Sequence, residues 1–232
     1  LSYKPQKFNT TYQRASTPFQ TMFYGSIVPE ILGKSEPQTA RITVAFELSE
    51  FLRDIGTVGE QDIVFSAWVV EQDIQLVTLI HHKKFARPTE LSSQLQAEFE
   101  QFVKSNPDQK IPTLEISEFL GNEYAKLPIA KHTDYMHSAI YSQLVTEKFD
   151  GVLYPSVRMA GEGINVAIKP ETIDKKLKFL GASECTIYKN GKEVFVGNNT
   201  QTTISGNEIE FLPIEKEYLV TKDFGRKQVG LE

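Results

Sequence analysis

One segment, residues 150–170, restricts the fold more than any other part of the chain. It reads Asp-Gly-Val-Leu-Tyr-Pro-Ser-Val-Arg-Met-Ala-Gly-Glu-Gly-Ile-Asn-Val-Ala-Ile-Lys-Pro. Two apolar runs, Val152–Tyr154 and Asn165–Ile168, are separated by a Pro-Ser corner and a loop that is bracketed by Gly161 and Gly163. This pattern predicts two strands that are joined by a tight polar corner and a glycine loop.

The corner carries two chemically useful side chains, the hydroxyl of Ser156 and the cation of Arg158. Loops that are held by rigid strands are where binding and catalytic residues concentrate, so we expect this corner at the mouth of a cleft. The alternative interpretation is an ordinary hairpin-like connection with no functional role.

Elsewhere, apolar periodicity and turn residues predict an α+β fold with a mixed sheet core, several helices and a β-rich C-terminal part. Residues 63–70 and 74–80 are predicted to form a hairpin-like pair, Asn190-Gly191 to form a two-residue hairpin turn, and the last ten residues to be frayed. The other predicted helices cover residues 39–53, 89–104, one or two segments of 116–148 (the second at about 135–147), and 170–180; the other strands cover 22–25, 186–189, 194–196, 200–204, 208–212 and 217–219.

Composition excludes several classes of function. The net charge of −5, with no basic block to offset it, argues against binding to nucleic acid. The single cysteine, Cys185, allows no intrachain disulfide, fits a reducing cytoplasm, and is expected to be a small buried residue. No apolar run approaches the roughly 20 residues that span a bilayer, and no signal peptide is recognised. His81-His82 are adjacent, which does not suit one metal ion, so no metal site is predicted.

Four residues have unusual surroundings: Arg14, Tyr24, Glu47 and Ser156. Glu47 is the clearest case, because its neighbours from Val44 to Leu48 are apolar. A carboxylate drawn into a pocket needs polar partners, and Glu47 would then have a functional role. The alternative is that Glu47 lies on the solvent edge of an amphipathic helix.

The order of these residues resembles the RES-domain family, which is named for its Arg, Glu and Ser residues. The family includes toxins of bacterial toxin–antitoxin pairs that consume NAD, with a fold related to ADP-ribosyltransferases. The resemblance covers about residues 10–175 and rests on Arg14, Phe-Tyr-Gly-Ser at 23–26, Ala-x-Glu ending at Glu47, Asp-Gly-Val-Leu-Tyr-Pro-Ser at 150–156, and Asn-Val-Ala-Ile-Lys-Pro at 165–170.

The resemblance implies a domain organisation and partners. Residues 1–185 would form a NAD-cleaving domain with an ADP-ribosyltransferase-like mixed sheet, and residues 186–232 a β-rich extension that packs on it. NAD would be the substrate, with no metal and no membrane or nucleic-acid partner. An antitoxin-like protein would cover the cleft of this cytoplasmic enzyme. The sequence indicates no oligomeric state.

The resemblance also implies a role for each site residue. The bond from ribose to nicotinamide breaks through an oxocarbenium-like transition state, and the cationic leaving group needs no general acid. Arg14 would bind the pyrophosphate, since its planar fork matches phosphate oxygens. Glu47 would hold a ribose hydroxyl and stabilise the developing positive charge. Tyr24 would stack on the nicotinamide or its ribose, and Ser156 would bond to the nicotinamide side or to the carboxylate. The supporting residues would be Arg158 and Asn165.

Two questions stay open at this level. The acceptor would be water in a glycohydrolase, phosphate in a phosphorylase, or a nucleophile of another molecule in an ADP-ribosyltransferase. The rival function is a catalytically silent nucleotide-binding or protein-interaction domain on the same scaffold. Its support is the sequence Gln13-Arg14-Ala15-Ser16, where family members often carry Gly-Arg-Trp/Phe-Asn, together with the extra segments 56–135 and 186–232.

Overall fold

The computed structural model of the chain describes residues 2–28, 30–31, 34–35, 37–79, 89–127, 129–205, 208–215 and 219–231. They form a mixed α+β structure with a strand-rich C-terminal half, as predicted. The helices are α1 (Pro37–Leu48), α2 (Glu50–Arg53), α3 (Glu90–Ser105), α4 (Lys110–Tyr124), α5 (Met136–Thr146), α6 (Pro170–Lys176) and α7 (Lys222–Gln228). The strands are β1 (Phe23–Ser26), β2 (Glu30–Ile31), β3 (Lys34–Ser35), β4 (Val58–Val70), β5 (Leu76–Thr78), β6 (Gly151–Pro155), β7 (Ile164–Ile168), β8 (Leu177–Asn190), β9 (Glu193–Asn198), β10 (Thr200–Ser205) and β11 (Glu208–Pro213).

The chain divides into two compact units. The first unit comprises Ser2–Glu47 and Gln72–Lys176, and the second comprises Leu48–Glu71 and Leu177–Glu232. The boundary that the sequence suggests, between residues 185 and 186, falls inside β8 of the second unit. All of the predicted site residues belong to the first unit.

The first unit is built on a four-stranded sheet in the order β1-β7-β6-β5. The predicted strands of the 150–170 segment are confirmed as β6 and β7, which pair antiparallel at the centre of the sheet. Strand β1 pairs antiparallel with β7, and β5 pairs parallel with β6. Every residue of β7 is buried, which explains its almost wholly apolar sequence. A cluster of buried residues fills the core of this unit: Ala15, Met22, Leu79, Leu120, Tyr124, Val152, Tyr154 and Ala167.

Asp150 fixes the start of β6. Its carboxylate accepts hydrogen bonds from the Gln75 amide at 2.8 Å, the Thr172 hydroxyl at 2.6 Å and the Lys176 ammonium at 2.8 Å. Burial disfavours the charged form, but the hydrogen bonds from Lys176, Thr172 and Gln75 outweigh it and lower the pKa of Asp150 to about 2. One buried carboxylate therefore joins the chain before β5, the start of β6 and helix α6.

The second unit contains the antiparallel sheet β4-β8-β9 and the hairpin β10-β11. The predicted hairpin at Asn190-Gly191 is confirmed: Asn190 pairs with Glu193, and Gly191 (φ 63°) takes the left-handed conformation that the turn requires. Two threonines of β10, Thr200 and Thr202, accept hydrogen bonds from backbone amides of β8 at 3.0 and 2.7 Å.

Lys189 is a buried cation in the second unit. It is 2% exposed, and its ammonium donates to the Asp54 carbonyl and, at 2.7 Å, to the Thr57 hydroxyl. It therefore ties β8 to the loop that follows α2. Cys185 of the same strand is fully buried, as predicted.

The predicted helix over residues 39–53 is wrong as one element, because it is divided into α1 and α2. Ser49 separates them with an extended backbone (φ −98°, ψ 113°), and its hydroxyl accepts the Leu52 amide at 3.1 Å. A serine that caps a new helix competes with continuation of the old one. The predicted helix over 170–180 likewise ends earlier, at Lys176, where β8 begins.

The predicted pairing of residues 63–70 with 74–80 is also wrong. Strand β4 pairs with β8 over its full length, whereas β5 joins the sheet of the first unit. The intervening Glu71-Gln72-Asp73 has none of the glycine or asparagine residues that a two-residue hairpin turn favours. β8, with 14 residues, instead gives β4 a partner along its whole length.

The C-terminus is not frayed, contrary to the prediction, because residues 222–228 form α7. Thr221 caps this helix by accepting the Phe224 amide at 3.3 Å, and Val229 is 3% exposed. Gly225 lets the helix approach the ring of Tyr188, which a β-carbon would strike.

Several other predictions can be compared with the structure. Strands predicted near 22–25, 200–204 and 208–212 and the helices predicted near 89–104 and 135–147 are confirmed. Ile80, His81-His82 and most of the strand predicted over 217–219 lie outside the described residues.

Among the helices of the described residues, none has both the length and the apolarity to cross a bilayer.

Candidate functional site

The site is centred on the carboxylate of Glu47, at the end of α1. Its Oε1 accepts hydrogen bonds from the Ser156 hydroxyl at 2.7 Å and from the Asn165 side-chain amide at 3.0 Å. Its Oε2 lies 3.3 Å from Nε of Arg158. The Glu47 side chain is 22% exposed, whereas Ser156 is fully buried and Asn165 is 5% exposed. The carboxylate is thus fixed from the protein side, and the side chain as a whole remains partly exposed.

The strands explain why Ser156 and Asn165 meet one carboxylate. Ser156 follows the last residue of β6, and Asn165 lies on β7 opposite Tyr154. The Ser156 amide donates to the Gly163 carbonyl, and the Gly161 amide donates to the Ser156 carbonyl, each at 2.8 Å. Ala160 (φ 50°) and Gly161 (φ 90°) adopt left-handed conformations, which turn the loop back toward β7. The predicted corner and glycine loop therefore form one hydrogen-bonded unit.

Gly163 brings α1 close to this loop. A β-carbon at Gly163 would lie 2.6 Å from Cγ2 and 2.9 Å from Cβ of Thr43, which is buried one helical turn before Glu47. Only a residue without a side chain permits this approach. The glycine thus sets the position of Glu47 relative to Ser156.

Arg14 occupies a second cluster. It is 8% exposed, and its Nη1 donates to the carbonyl of Tyr124, the last residue of α4. Its Nη2 lies 3.5 Å from the Tyr135 hydroxyl, and its guanidinium carbon lies 4.9 Å from the centre of the Tyr135 ring. In the part of the chain that the structure describes, none of its contacts is with a carboxylate. The helix C-terminus provides about half a negative charge, so the buried cation is only partly compensated.

Tyr24 holds the turn that carries Arg14. Its hydroxyl accepts the Ala15 amide at 3.0 Å and lies 2.8 Å from the Ser16 hydroxyl. Burial raises the pKa of Tyr24 to about 12, so the hydroxyl remains neutral. The hydroxyl is therefore used inside the protein, and the partly buried ring packs against the core of the first unit.

Tyr154 links the two clusters. It is 5% exposed, its ring centre lies 5.2 Å from that of Tyr124, and its hydroxyl makes no hydrogen bond to another described residue. Burial, with smaller contributions from Tyr24 and Glu47, raises the pKa of Tyr154 well above its usual range, whereas Arg14 lowers it. Its ring thus packs on Tyr124, whose carbonyl binds Arg14, and its backbone pairs with Asn165, which binds Glu47. The neutral hydroxyl can still donate a hydrogen bond.

The structure thus brings the predicted site residues into two adjoining clusters. One contains Glu47, Ser156, Arg158 and Asn165, and the other contains Arg14 and Tyr24. Sequence reasoning missed three tyrosines, Tyr124, Tyr135 and Tyr154. Tyr154 had a signal, since it precedes Pro155-Ser156 in the motif itself, but the other two are separated from Arg14 by more than 100 residues.

Two other features help to define the chemistry. An apolar cavity of about 600 Å³ lies elsewhere in the first unit and is lined by residues that include Phe99, Phe102, Ile116 and Leu120. Its described lining contains no charged side chain and none of the predicted site residues, so it does not suit an anionic ligand. Among the described residues, no cluster of three or more His, Cys, Asp or Glu side chains could hold a metal ion.

Comparison of the chain with protein-family models, curated proteins and solved structures found no match. The case for function therefore rests on the residues and their geometry.

Proposed function

We propose that the chain is a NAD-cleaving enzyme that breaks the bond between nicotinamide and ribose, on a RES-type scaffold with an ADP-ribosyltransferase-like fold. One observation supports this most strongly. A nearly buried guanidinium, held by neutral groups, and a hydrogen-bonded carboxylate are joined through Tyr154, whose ring packs on Tyr124 beside Arg14 and whose backbone pairs with Asn165 beside Glu47. This pair suits a ligand that is anionic at one end and develops positive charge at the other.

Arg14 would bind the pyrophosphate. A buried cation without a charged partner is costly, and a phosphate group removes that cost. Its guanidinium has five donors, and the protein uses at most two of them in the described contacts. The remaining donors can form the paired hydrogen bonds that guanidinium makes with phosphate oxygens.

Glu47 would act at the ribose. Hydrogen bonds from Ser156 and Asn165 hold its carboxylate in one orientation before the substrate arrives. Such a fixed negative charge stabilises the oxocarbenium-like transition state, because no reorganisation is needed while the bond breaks. Ser156 thus acts by positioning the carboxylate, one of the two roles expected from the sequence. Tyr24 would offer its ring to the nicotinamide half, and Arg158 and Asn165 would support the pocket.

The first experiment measures nicotinamide release from NAD by the purified protein, with and without inorganic phosphate. The proposal predicts release, and the product on the ribose side names the acceptor. ADP-ribose indicates a glycohydrolase, and ADP-ribose 1-phosphate indicates a phosphorylase. Release that requires a protein or another added nucleophile indicates a transferase.

A catalytically silent nucleotide-binding domain is the second candidate. The observation in its favour is that Arg14 bonds to the terminal carbonyl of α4, which gives the residue a structural role of its own. The two candidates differ in cells. A NAD-cleaving toxin or defence effector, acting in the cytoplasm without its antitoxin-like partner, arrests growth and lowers cellular NAD, whereas a silent domain does neither.

A further inference from the structure

We infer that Tyr135 is a positioning residue that orients Arg14 for the phosphate end of the substrate. This inference rests on the proposed function and deepens it, because it states which part of the substrate each cluster recognises. Neither the predicted site nor its motif includes Tyr135.

The geometry around Arg14 carries the argument. The ring of Tyr135 lies 4.9 Å from the guanidinium carbon, within the range of a cation–π interaction, and its hydroxyl lies 3.5 Å from Nη2. The Tyr124 carbonyl holds Nη1. Two neutral groups thus fix the plane of the cation without neutralising its charge, which leaves it able to bind an anion.

The backbone at Tyr135 is held independently of Arg14. Tyr135 ends a short 3₁₀ helix, His132–Tyr135, that runs into α5, and its carbonyl accepts the Ser138 hydroxyl at 3.0 Å. The Asp134 carboxylate accepts the Ala130 and Lys131 amides, each at 3.0 Å. Because these contacts do not involve the Tyr135 ring, replacing the ring is expected to leave the local fold intact.

A positioning role differs from a packing role in its dependence on substrate. NAD and nicotinamide mononucleotide both carry phosphate, whereas nicotinamide riboside has the same scissile bond and no phosphate. If the ring acts through Arg14 on phosphate, its loss weakens the binding of NAD and nicotinamide mononucleotide and leaves the binding of nicotinamide riboside unchanged. If the ring only packs, the affinities for all three compounds change together.

The experiment compares Tyr135→Leu, Tyr135→Phe and the wild-type protein with these three compounds. Binding is measured by calorimetry, and kcat and KM are measured where turnover occurs. Tyr3→Leu is the matched control, since Tyr3 contacts Asp174 on the surface of the same unit. Circular dichroism verifies that each variant is folded.

We expect Tyr135→Leu to weaken the binding of NAD and of nicotinamide mononucleotide by about three- to thirtyfold, the range of a cation–π contact, with kcat nearly unchanged. Tyr135→Phe, which keeps the ring, should recover most of this loss, and nicotinamide riboside should change less than twofold. Equal loss for all three compounds, or unchanged NAD affinity, would overturn the inference.

The binding measurement separates this inference from the proposed function. Suppose that the wild-type protein binds NAD without cleaving it, and that Tyr135→Leu shows the phosphate-dependent loss of affinity. The role of Tyr135 is then supported, and the proposal that the protein cleaves NAD is rejected. If NAD is not bound at all, both proposals fail.

Discussion

Asp150→Asn is expected to destabilise the first unit in a way that depends on pH. The wild-type carboxylate has a pKa of about 2 in the folded protein, against the ordinary value of 3.8 in the unfolded chain. A difference of nearly two pKa units corresponds to about 2–3 kcal/mol of free energy of unfolding. Asn cannot ionise, so the variant lacks this contribution.

The sign follows from the lowered pKa. Above about pH 5 the carboxylate is charged in both states, and the full stabilisation is present. As the pH falls toward 2, the unfolded chain takes up a proton before the folded protein does, and the stabilisation is lost. The difference between wild type and Asp150→Asn should therefore be about 2–3 kcal/mol at pH 6 and should shrink steadily between about pH 5 and pH 2.

The assay must report on the first unit. The only tryptophan, Trp68, lies on β4 of the second unit, so its fluorescence does not serve. Urea unfolding is instead followed by hydrogen exchange of the β6 amides at several pH values. Asp108→Asn is the control, because it removes the same charge from an exposed position. A wild-type advantage that stays constant from pH 6 to pH 2 would show that the carboxylate is not the source.

Two further substitutions test how the fold supports the site and the second unit. Gly163→Ala should push Thr43 and the end of α1 away from the loop. Because Glu47 is then misplaced, NAD turnover should fall by up to about 100-fold while the protein remains folded. Unchanged turnover would refute this role of Gly163. Lys189→Met should lower the free energy of unfolding of the second unit by about 1–3 kcal/mol, because the hydrogen bonds of the buried ammonium to the Asp54 carbonyl and the Thr57 hydroxyl are lost. Trp68 fluorescence during urea unfolding measures this effect, and an equal loss in the exposed control Lys192→Met would contradict the explanation.

The local parts of the fold could be predicted from the sequence. Strands β6 and β7 have apolar runs bounded by turn residues, and the Asn190-Gly191 turn has the residues that its backbone angles require. Strand partners could not be predicted in the same way. Nothing near β4 indicates that it pairs with β8, more than 100 residues away, because pairing depends on side chains that meet only in the folded chain.

In the site, too, the local features could be predicted from the sequence and the long-range contacts could not. The apolar surroundings of Glu47 and the polar corner at Ser156 were visible in the sequence, and the structure joins them by a 2.7 Å hydrogen bond. Tyr124 and Tyr135 were not predicted, because a tyrosine in a partly apolar helical segment usually belongs to the core. Their contacts with Arg14 depend on how α4 and the 3₁₀ helix before α5 pack around the N-terminal turn.

The rate of nicotinamide release by Glu47→Gln, measured beside its affinity for NAD, tests the central claim most directly. Gln keeps the shape of the side chain and removes its charge, so the claim predicts a fall of about 100-fold or more in rate and a change of less than threefold in affinity. Glu115→Gln, at an exposed position on α4, should behave as wild type. A Glu47→Gln variant that releases nicotinamide at the wild-type rate would remove this carboxylate from the chemistry and contradict the account.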